Sequence, residues 1–191
     1  MDDEAAAGPG RGSLSAAGLP EWVADPRFAA DAMLGRLARW LRVLGYDTFY
    51  DIAVADPVLV RLSEDEARLL LTRDRHLLRE LRPANALEVR QDDPLQQLRD
   101  LVQELRLPAP EALFTRCLLC NALLRVLARA EAQPLLPPGV RELPGPVRRC
   151  PECGRLYWDG SHVRRMRAAI ERVLPGWIAA QSGGYNEGDF Q

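Results

Sequence analysis

From residue 27 the chain alternates short apolar runs with longer segments whose apolar residues recur at helical spacing. Phe28 to Asp31 reads as a short strand. Leu34, Leu37, Leu41 and Leu44 then fall at i, i+3, i+7 and i+10, the stripe that one buried helix face requires. Gly45 stops that helix, Tyr46 to Tyr50 predicts a second strand, and Asp56-Pro57 opens a second helix with Asp as N-cap and Pro at its first position. Arg68 to Thr72 predicts a third strand, Asp74 to Leu81 a short helix, Ala86 to Arg90 a fourth strand, and Asp93-Pro94 the start of a helix that runs to about Leu107. Strands that alternate with helices predict a parallel α/β sheet. Ser161 then caps a last helix with the stripe Val163, Met166, Ile170 and Val173.

This pattern divides the chain into four. Residues 1–25, rich in Ala, Gly, Pro and Ser, predict a flexible leader; residues 26–110 form the α/β domain; residues 111–173 hold a Pro- and Cys-rich segment and the last helix; residues 174–191 are a tail. A length of 191 residues suits one ordinary domain and a small second unit, and 47% hydrophobic with 27% charged residues places the chain among globular proteins rather than disordered tails. No stretch approaches the ~18 uninterrupted apolar residues of a membrane helix, and Met1-Asp2-Asp3-Glu4 lacks the charge and apolar run of a secretory signal. The expectation is a cytoplasmic address and no membrane partner.

The net charge of −2 hides an uneven distribution. Residues 1–114 hold 14 Arg against 20 acids, residues 115–173 hold 11 Arg against 5 acids, and the remainder holds 2 acids. An acidic part that gathers cations beside a basic part that meets phosphate fits this division; so does a basic face that is merely solvated.

All four cysteines lie in two pairs, Cys117-Leu118-Leu119-Cys120 and Cys150-Pro151-Glu152-Cys153, the arrangement of two knuckles that present four thiolates to one tetrahedral zinc ion. The 29 residues between the pairs exceed the ~15–20 of compact four-cysteine sites, and the excess, from Pro134 to Pro146, leaves as a loop. Two local disulfides are disfavoured in a cytosolic chain, and redox pairs are disfavoured because neither pair opens a helix after a strand. Four thiolates leave no open position, so such a zinc is structural.

Aspartates recur where the carboxyl ends of the strands should lie: Asp31 after the first, Asp51 after the second, Asp74 after the third, Asp92 and Asp93 after the fourth, with Asp56 at the helix that follows Asp51. Each alone is explained as a helix N-cap. Together at one edge, uncompensated carboxylates would repel one another, which a divalent cation relieves. With only His76 and His162 in the chain, an all-oxygen set selects Mg²⁺ or Mn²⁺, and such clusters commonly hydrolyse phosphodiesters by activating water and stabilising the leaving oxygen.

Five blocks then carry a specific resemblance: Asp31-Ala-Met-Leu-Gly-Arg-Leu-Ala-Arg-Trp-Leu-Arg-Val-Leu-Gly-Tyr-Asp-Thr48, Leu71-Thr-Arg-Asp-Arg75, Arg116-Cys-Leu-Leu-Cys-Asn121, Cys150-Pro-Glu-Cys-Gly154 and Tyr157-Trp-Asp-Gly-Ser-His162. In this order the chain strongly resembles the mut-seven C-terminal RNase family, a PIN-like nuclease domain followed by a zinc ribbon. The resemblance implies a PIN-like parallel sheet flanked by helices, a metal-dependent ribonuclease site and a structural zinc. It matches Asp31 to the first-strand acid, Asp56 to the acid opening the helix before the third strand, and Asp74 to the acid of the Thr-x-Asp block. The fourth acid of such a site has no clear counterpart; Asp51 is the first choice and Asp92 the second.

Around these groups, Thr72 either bonds a site carboxylate or water or simply favours its strand. Arg36, Arg39 and Arg42, away from the leucine stripe, either hold an RNA backbone or form a solvated face. Arg164, Arg165, Arg167 and Arg172 make the last helix basic, the best candidate for an RNA-facing surface. Tyr157 and Trp158 either stack bases or cover the ribbon's own metal, and His162 reads as a helix-start residue rather than a base. The expected function is a ribonuclease that hydrolyses phosphodiester bonds with Mg²⁺ or Mn²⁺ and uses a structural zinc ribbon to help bind RNA, with RNA as the partner and the ribosome or tRNA as candidates. The alternatives are a noncatalytic RNA- or ribosome-binding protein and, more weakly, a toxin-like nuclease.

Overall fold

The computed structural model describes residues 25–142 and 145–178; the expected leader, but for its last residue, and the tail beyond residue 178 lie outside them. Four strands, β1 (Arg27–Ala30), β2 (Asp47–Tyr50), β3 (Leu69–Thr72) and β4 (Ala86–Glu88), form a parallel sheet in the order β2-β1-β3-β4. Between them run α1 (Gly35–Val43), α2 (Asp56–Asp65) and α3 (Arg75–Leu81), and after β4 comes α4 (Pro94–Leu105). Beyond it lie β5 (Arg125–Leu127), the short α5 (Arg129–Ala132), β6 (Val147–Arg149) and β7 (Leu156–Tyr157), whose strands pair antiparallel, and then α6 (Ser161–Val173).

The strands are apolar on both sides because helices cover both faces, and their two-residue period sorts side chains between two cores. Phe28, Ala30 and Leu71 point into a core shared with α1, α4 and α6, whereas Ala29 and Leu70 meet Leu59 and Val60 of α2 and Leu77 of α3. The stripe Leu34, Leu37, Leu41 and Leu44 is buried as its spacing requires. On α6, Ile170 and Val173 are buried, and Val163 and Met166 pack against the same core, so this helix returns to the α/β layer after the ribbon. The ribbon keeps only a small cluster of its own, Leu127, Ala132 and Leu136.

Two expected caps are displaced by one residue. The helix expected to be capped by Asp56 takes Ala55 as its N-cap, since the Val58 and Leu59 N–H groups bond the Ala55 carbonyl, and Asp56 sits in the first turn without capping anything. Likewise Gly160, not Ser161, is the N-cap of α6, its carbonyl taking the Arg164 N–H. Gly45 ends α1 at φ +88°, and a Cβ there would come within 2.8 Å of the Thr115 hydroxyl oxygen, so backbone and packing both demand glycine. Among the described residues no helix is long and apolar enough to cross a membrane.

Candidate functional site

After β1 the chain turns to β2 on one side, and after β3 to β4 on the other, so a crevice opens at the carboxyl ends of β1 and β3, the place where parallel α/β sheets take ligands. Asp31 leaves β1 at this point and is 4% exposed. A carboxylate so buried requires donors, and it has three: Met33 N–H to Oδ1 at 2.8 Å, Arg73 N–H to Oδ2 at 2.9 Å, and the Thr72 hydroxyl to Oδ2. The Thr72 oxygen in turn accepts the Asp74 N–H at 2.9 Å, so one relay ties the first and third strands' acids together. Thr72 is therefore a carboxylate partner, as well as a strand residue.

Of roughly four acceptor positions on the Asp31 carboxylate, three are used, which leaves one on Oδ1. Asp74 caps α3 with Oδ1, accepting His76 N–H at 2.7 Å and Leu77 N–H at 3.2 Å, and its Oδ2 has no partner among the described residues. Asp51 is exposed and holds the Ala53 N–H at 2.9 Å; Asp56 is exposed with neither ion pair nor side-chain bond among the described residues. Asp92 pairs with Arg73, and Asp93 caps α4. Strand register sets Asp31, Asp51 and Thr72 just beyond one level of the sheet edge. The carboxylates do not, however, draw together as the thiols do: among the described residues the four cysteines are the group of three or more candidate ligands with mutually close ligand atoms.

Those four sulfurs lie within 4.8 Å of one another, with Cys117–Cys153 at 3.6 Å and Cys120–Cys150 at 3.4 Å, and all four are free. A tetrahedral zinc with Zn–S bonds of about 2.3 Å sets neighbouring sulfurs about 3.8 Å apart, so this donor set fits the ion. The two knuckles repeat one hydrogen-bond pattern: Cys117 N–H to Ala122 and Cys150 N–H to Arg155, Asn121 N–H to Cys117 and Gly154 N–H to Cys150. The residue after each second cysteine has positive φ, 69° at Asn121 and 73° at Gly154. Burial raises the Cys117 thiol, but the N–H groups of Cys120 and Leu119 and the Tyr157 hydroxyl outweigh it and bring it down to about 6; burial and the facing thiols push Cys120 up to about 12. One thiolate is favoured and further charge is not, a conflict that a cation resolves.

Non-glycine Asn121 tolerates its positive φ, and its side chain shows why it stands there. Its Oδ1 accepts the Thr48 N–H of edge strand β2 at 3.0 Å, and its Nδ2 donates to Asp47 at 2.9 Å. Asp47 also pairs with Arg68 and Arg116. From the other side Arg42, expected with Arg36 and Arg39 on a face that either holds RNA or is merely solvated, is instead 2% exposed and donates to the carbonyls of Thr48, Leu118 and Leu119. Six residues are one and two-thirds helical turns, so Arg42 points about 120° away from Arg36 and ties the first knuckle to the sheet.

Burial works against ionisation of Asp47, but bonds from Arg68 and Asn121 and the charges of Arg68 and Arg116 prevail and hold it below the usual carboxylate range. A depressed carboxyl contributes stability above its unfolded pKa of about 4, and that contribution is lost as pH falls through the folded value. Asp47→Asn is therefore expected to lower the urea midpoint at neutral pH, by about 2 kcal/mol of stability, with the difference from the parent closing below about pH 4. A difference that does not change with pH would show that the charge is not what matters there.

Of the arginines expected to meet RNA, Arg36 and Arg39 on α1 and Arg164 on α6 line one groove of about 1140 Å³. Arg165 is exposed outside its lining, and Arg167 lies over the Phe114 ring at 5.5 Å, so packing takes part of its capacity. Tyr157 bonds Cys117 through its hydroxyl at 3.1 Å and so does support the metal site; Trp158 joins the ribbon's core while lining the groove. Trp40 and Arg155, which belong to the same groove, drew no attention in the sequence, although Trp40 stands at i+4 from Arg36.

No curated protein and no solved structure matches the chain. The span from β1 through the crevice and both knuckles to Ile170 of α6 is the span matched by the family model described as the Mut7-C RNAse domain, residues 26–170, and the chain belongs to that family.

Proposed function

We propose that the protein is a metal-dependent, PIN-like ribonuclease that hydrolyses RNA phosphodiester bonds at its acidic edge, with a structural zinc ribbon that helps to hold the RNA, in the cytoplasm. The observation that supports this most is Asp31, a buried carboxylate locked by three donors at the crevice between β1 and β3 in a chain of an RNase family. In this reading Asp31, Asp56 and Asp74 hold Mg²⁺ or Mn²⁺, since each keeps an acceptor position unused, and Asp51 is the fourth acid, ahead of Asp92, which is engaged by Arg73. When bound, the cation activates a water for attack on phosphorus and stabilises the leaving oxygen. Thr72 positions the acids: its hydroxyl donates a hydrogen bond to Asp31 and accepts the Asp74 N–H. Arg36, Arg39, Arg164 and Arg165 meet phosphates, with Arg167 contributing charge from its place over Phe114. Cys117, Cys120, Cys150 and Cys153 hold one zinc with no open position.

Calorimetric titration of Mn²⁺ into the zinc-loaded protein tests the edge. Saturable binding is expected in the parent, weakened at least about tenfold in Asp56→Asn, whose exposed side chain bears no fold. A noncatalytic RNA-binding module predicts no saturable divalent site there, and that result would remove the ribonuclease reading.

A further inference from the structure

The groove between α1 and the ribbon unites arginines from parts of the chain more than a hundred residues apart. Arg36 and Arg39 come from α1, Arg155 from the second knuckle and Arg164 from the first turn of α6, and among the described residues no acidic side chain lines the groove. Among the described residues none of the four arginines is in an ion pair. Elsewhere the chain pairs its arginines readily, as Arg68 with Asp47 and Arg73 with Asp92. Four unpaired cations around one concavity focus a positive potential that suits a polyanion.

The same walls carry Trp40 on the α1 side and Tyr157 and Trp158 on the ribbon side. Each is half-buried, so each is anchored while leaving surface exposed. Aromatic faces interleaved with arginines suit unstacked bases on a phosphate backbone; duplex RNA hides its base faces and offers them nothing to stack. Charge alone would accept either form, and the aromatics decide for the single strand. The groove also has a direction. Arg36 lies in the first turn of α1, and Asp31 caps the short turn that leads into that helix, so a strand lying on α1 and running towards its N-terminal end approaches the buried carboxylate.

We propose that this groove binds single-stranded RNA, with the backbone on Arg36, Arg39, Arg155 and Arg164 and bases stacked on Trp40 and Trp158, and feeds the strand to the Asp31 end of α1. The proposal rests on the ribonuclease reading for its last step and narrows the substrate to single strands. Tyr157, bonded to Cys117, makes the shape of the groove depend on the metal centre.

The test uses the full zinc-loaded chain carrying Asp74→Asn, without added divalent ion, and follows tryptophan fluorescence as an RNA oligonucleotide of about 12 nucleotides, or its duplex, is added. Single-stranded RNA is expected to quench tryptophan emission and to bind at least about tenfold tighter than the duplex, with a slope of log affinity on log salt of about −3 for four phosphate contacts. Arg36→Ala with Arg39→Ala, both exposed and so harmless to folding, should weaken binding and flatten the slope by about half. Trp158→Ala should cost about tenfold for the single strand and little for the duplex. Equal affinity for duplex, or affinity and slope unchanged in the double arginine variant, overturns the proposal. Cleavage by the parent that persists in that double variant with unaltered KM also overturns the groove while leaving the ribonuclease reading standing. Tight, slope-sensitive binding by a parent that never cleaves supports the groove and removes the nuclease instead.

Discussion

Asp74→Asn is expected to reduce Mg²⁺- or Mn²⁺-dependent RNA cleavage by at least about a hundredfold, the scale of the several kcal/mol that a catalytic cation contributes, while leaving the melting temperature nearly unchanged. The reason for the second half is local. Only Oδ1 of Asp74 works in the fold, where it accepts the N–H groups of His76 and Leu77, and an asparagine oxygen accepts them equally well. What the amide removes is the charge on the free side, where a cation would bind. Asp31→Asn should be equally inactive but not equally stable. Both its oxygens face N–H donors, Met33 on one side and Arg73 on the other, so whichever way the amide turns its NH₂ meets a donor. A cost of about 1–3 kcal/mol follows for that buried mismatch. The pair separates chemistry from folding: Asp74→Asn gives the clean loss, Asp31→Asn the loss with a lower melting temperature. Full cleavage by purified Asp74→Asn, cleared of contaminating nuclease, would end the assignment of this edge.

Zinc removal, or Cys117→Ser, should have the largest effect on structure. The purified protein is expected to carry about one zinc per chain, and because a small ribbon has so little core, most of the binding energy is folding energy, on the scale of about 10 kcal/mol in isolated fingers. Hydrogen exchange should accelerate from Arg116 through Tyr157, yet α6 should stay protected, since Ile170 and Val173 belong to the α/β core. The loss should also cross into the sheet. The Thr48 N–H has Asn121 Oδ1 as its acceptor, and Arg42 bridges Thr48 to the first knuckle, so the β2 edge should lose protection while β3, in the interior, keeps it. Protection unchanged at Thr48 would show that the clamp is dispensable. Affinity should fall as pH drops, because each thiol must shed its proton to bind.

What can be read directly along the chain is what depends on near neighbours. The leucines from Leu34 to Leu44, the four short strands and the helix stop at Gly45 follow from helical or two-residue periods and from the steric limits of a single residue, so the parallel α/β sheet was legible. The cysteine pairs were legible for the same reason, since a knuckle is a local turn and its four-residue spacing is its geometry. Asp31, Thr72 and Asp74 were legible as neighbours of strand ends, because parallel topology carries every such end to one edge. The sequence could not separate Arg42 from Arg36 and Arg39, nor show which carboxylates cap and which stand free. Those outcomes rest on contacts between distant segments: Arg42 is buried because the Leu118 and Leu119 carbonyls arrive beside it, and Asp56 is free because Ala55 takes the capping position. The groove is the extreme case, since α1 and α6 each present an ordinary solvated basic face until the Asn121–Asp47 clamp and the burial of Ile170 bring them together. Local periodicity specifies which face of an element is buried, but only the packing of one element on another decides what its exposed face meets.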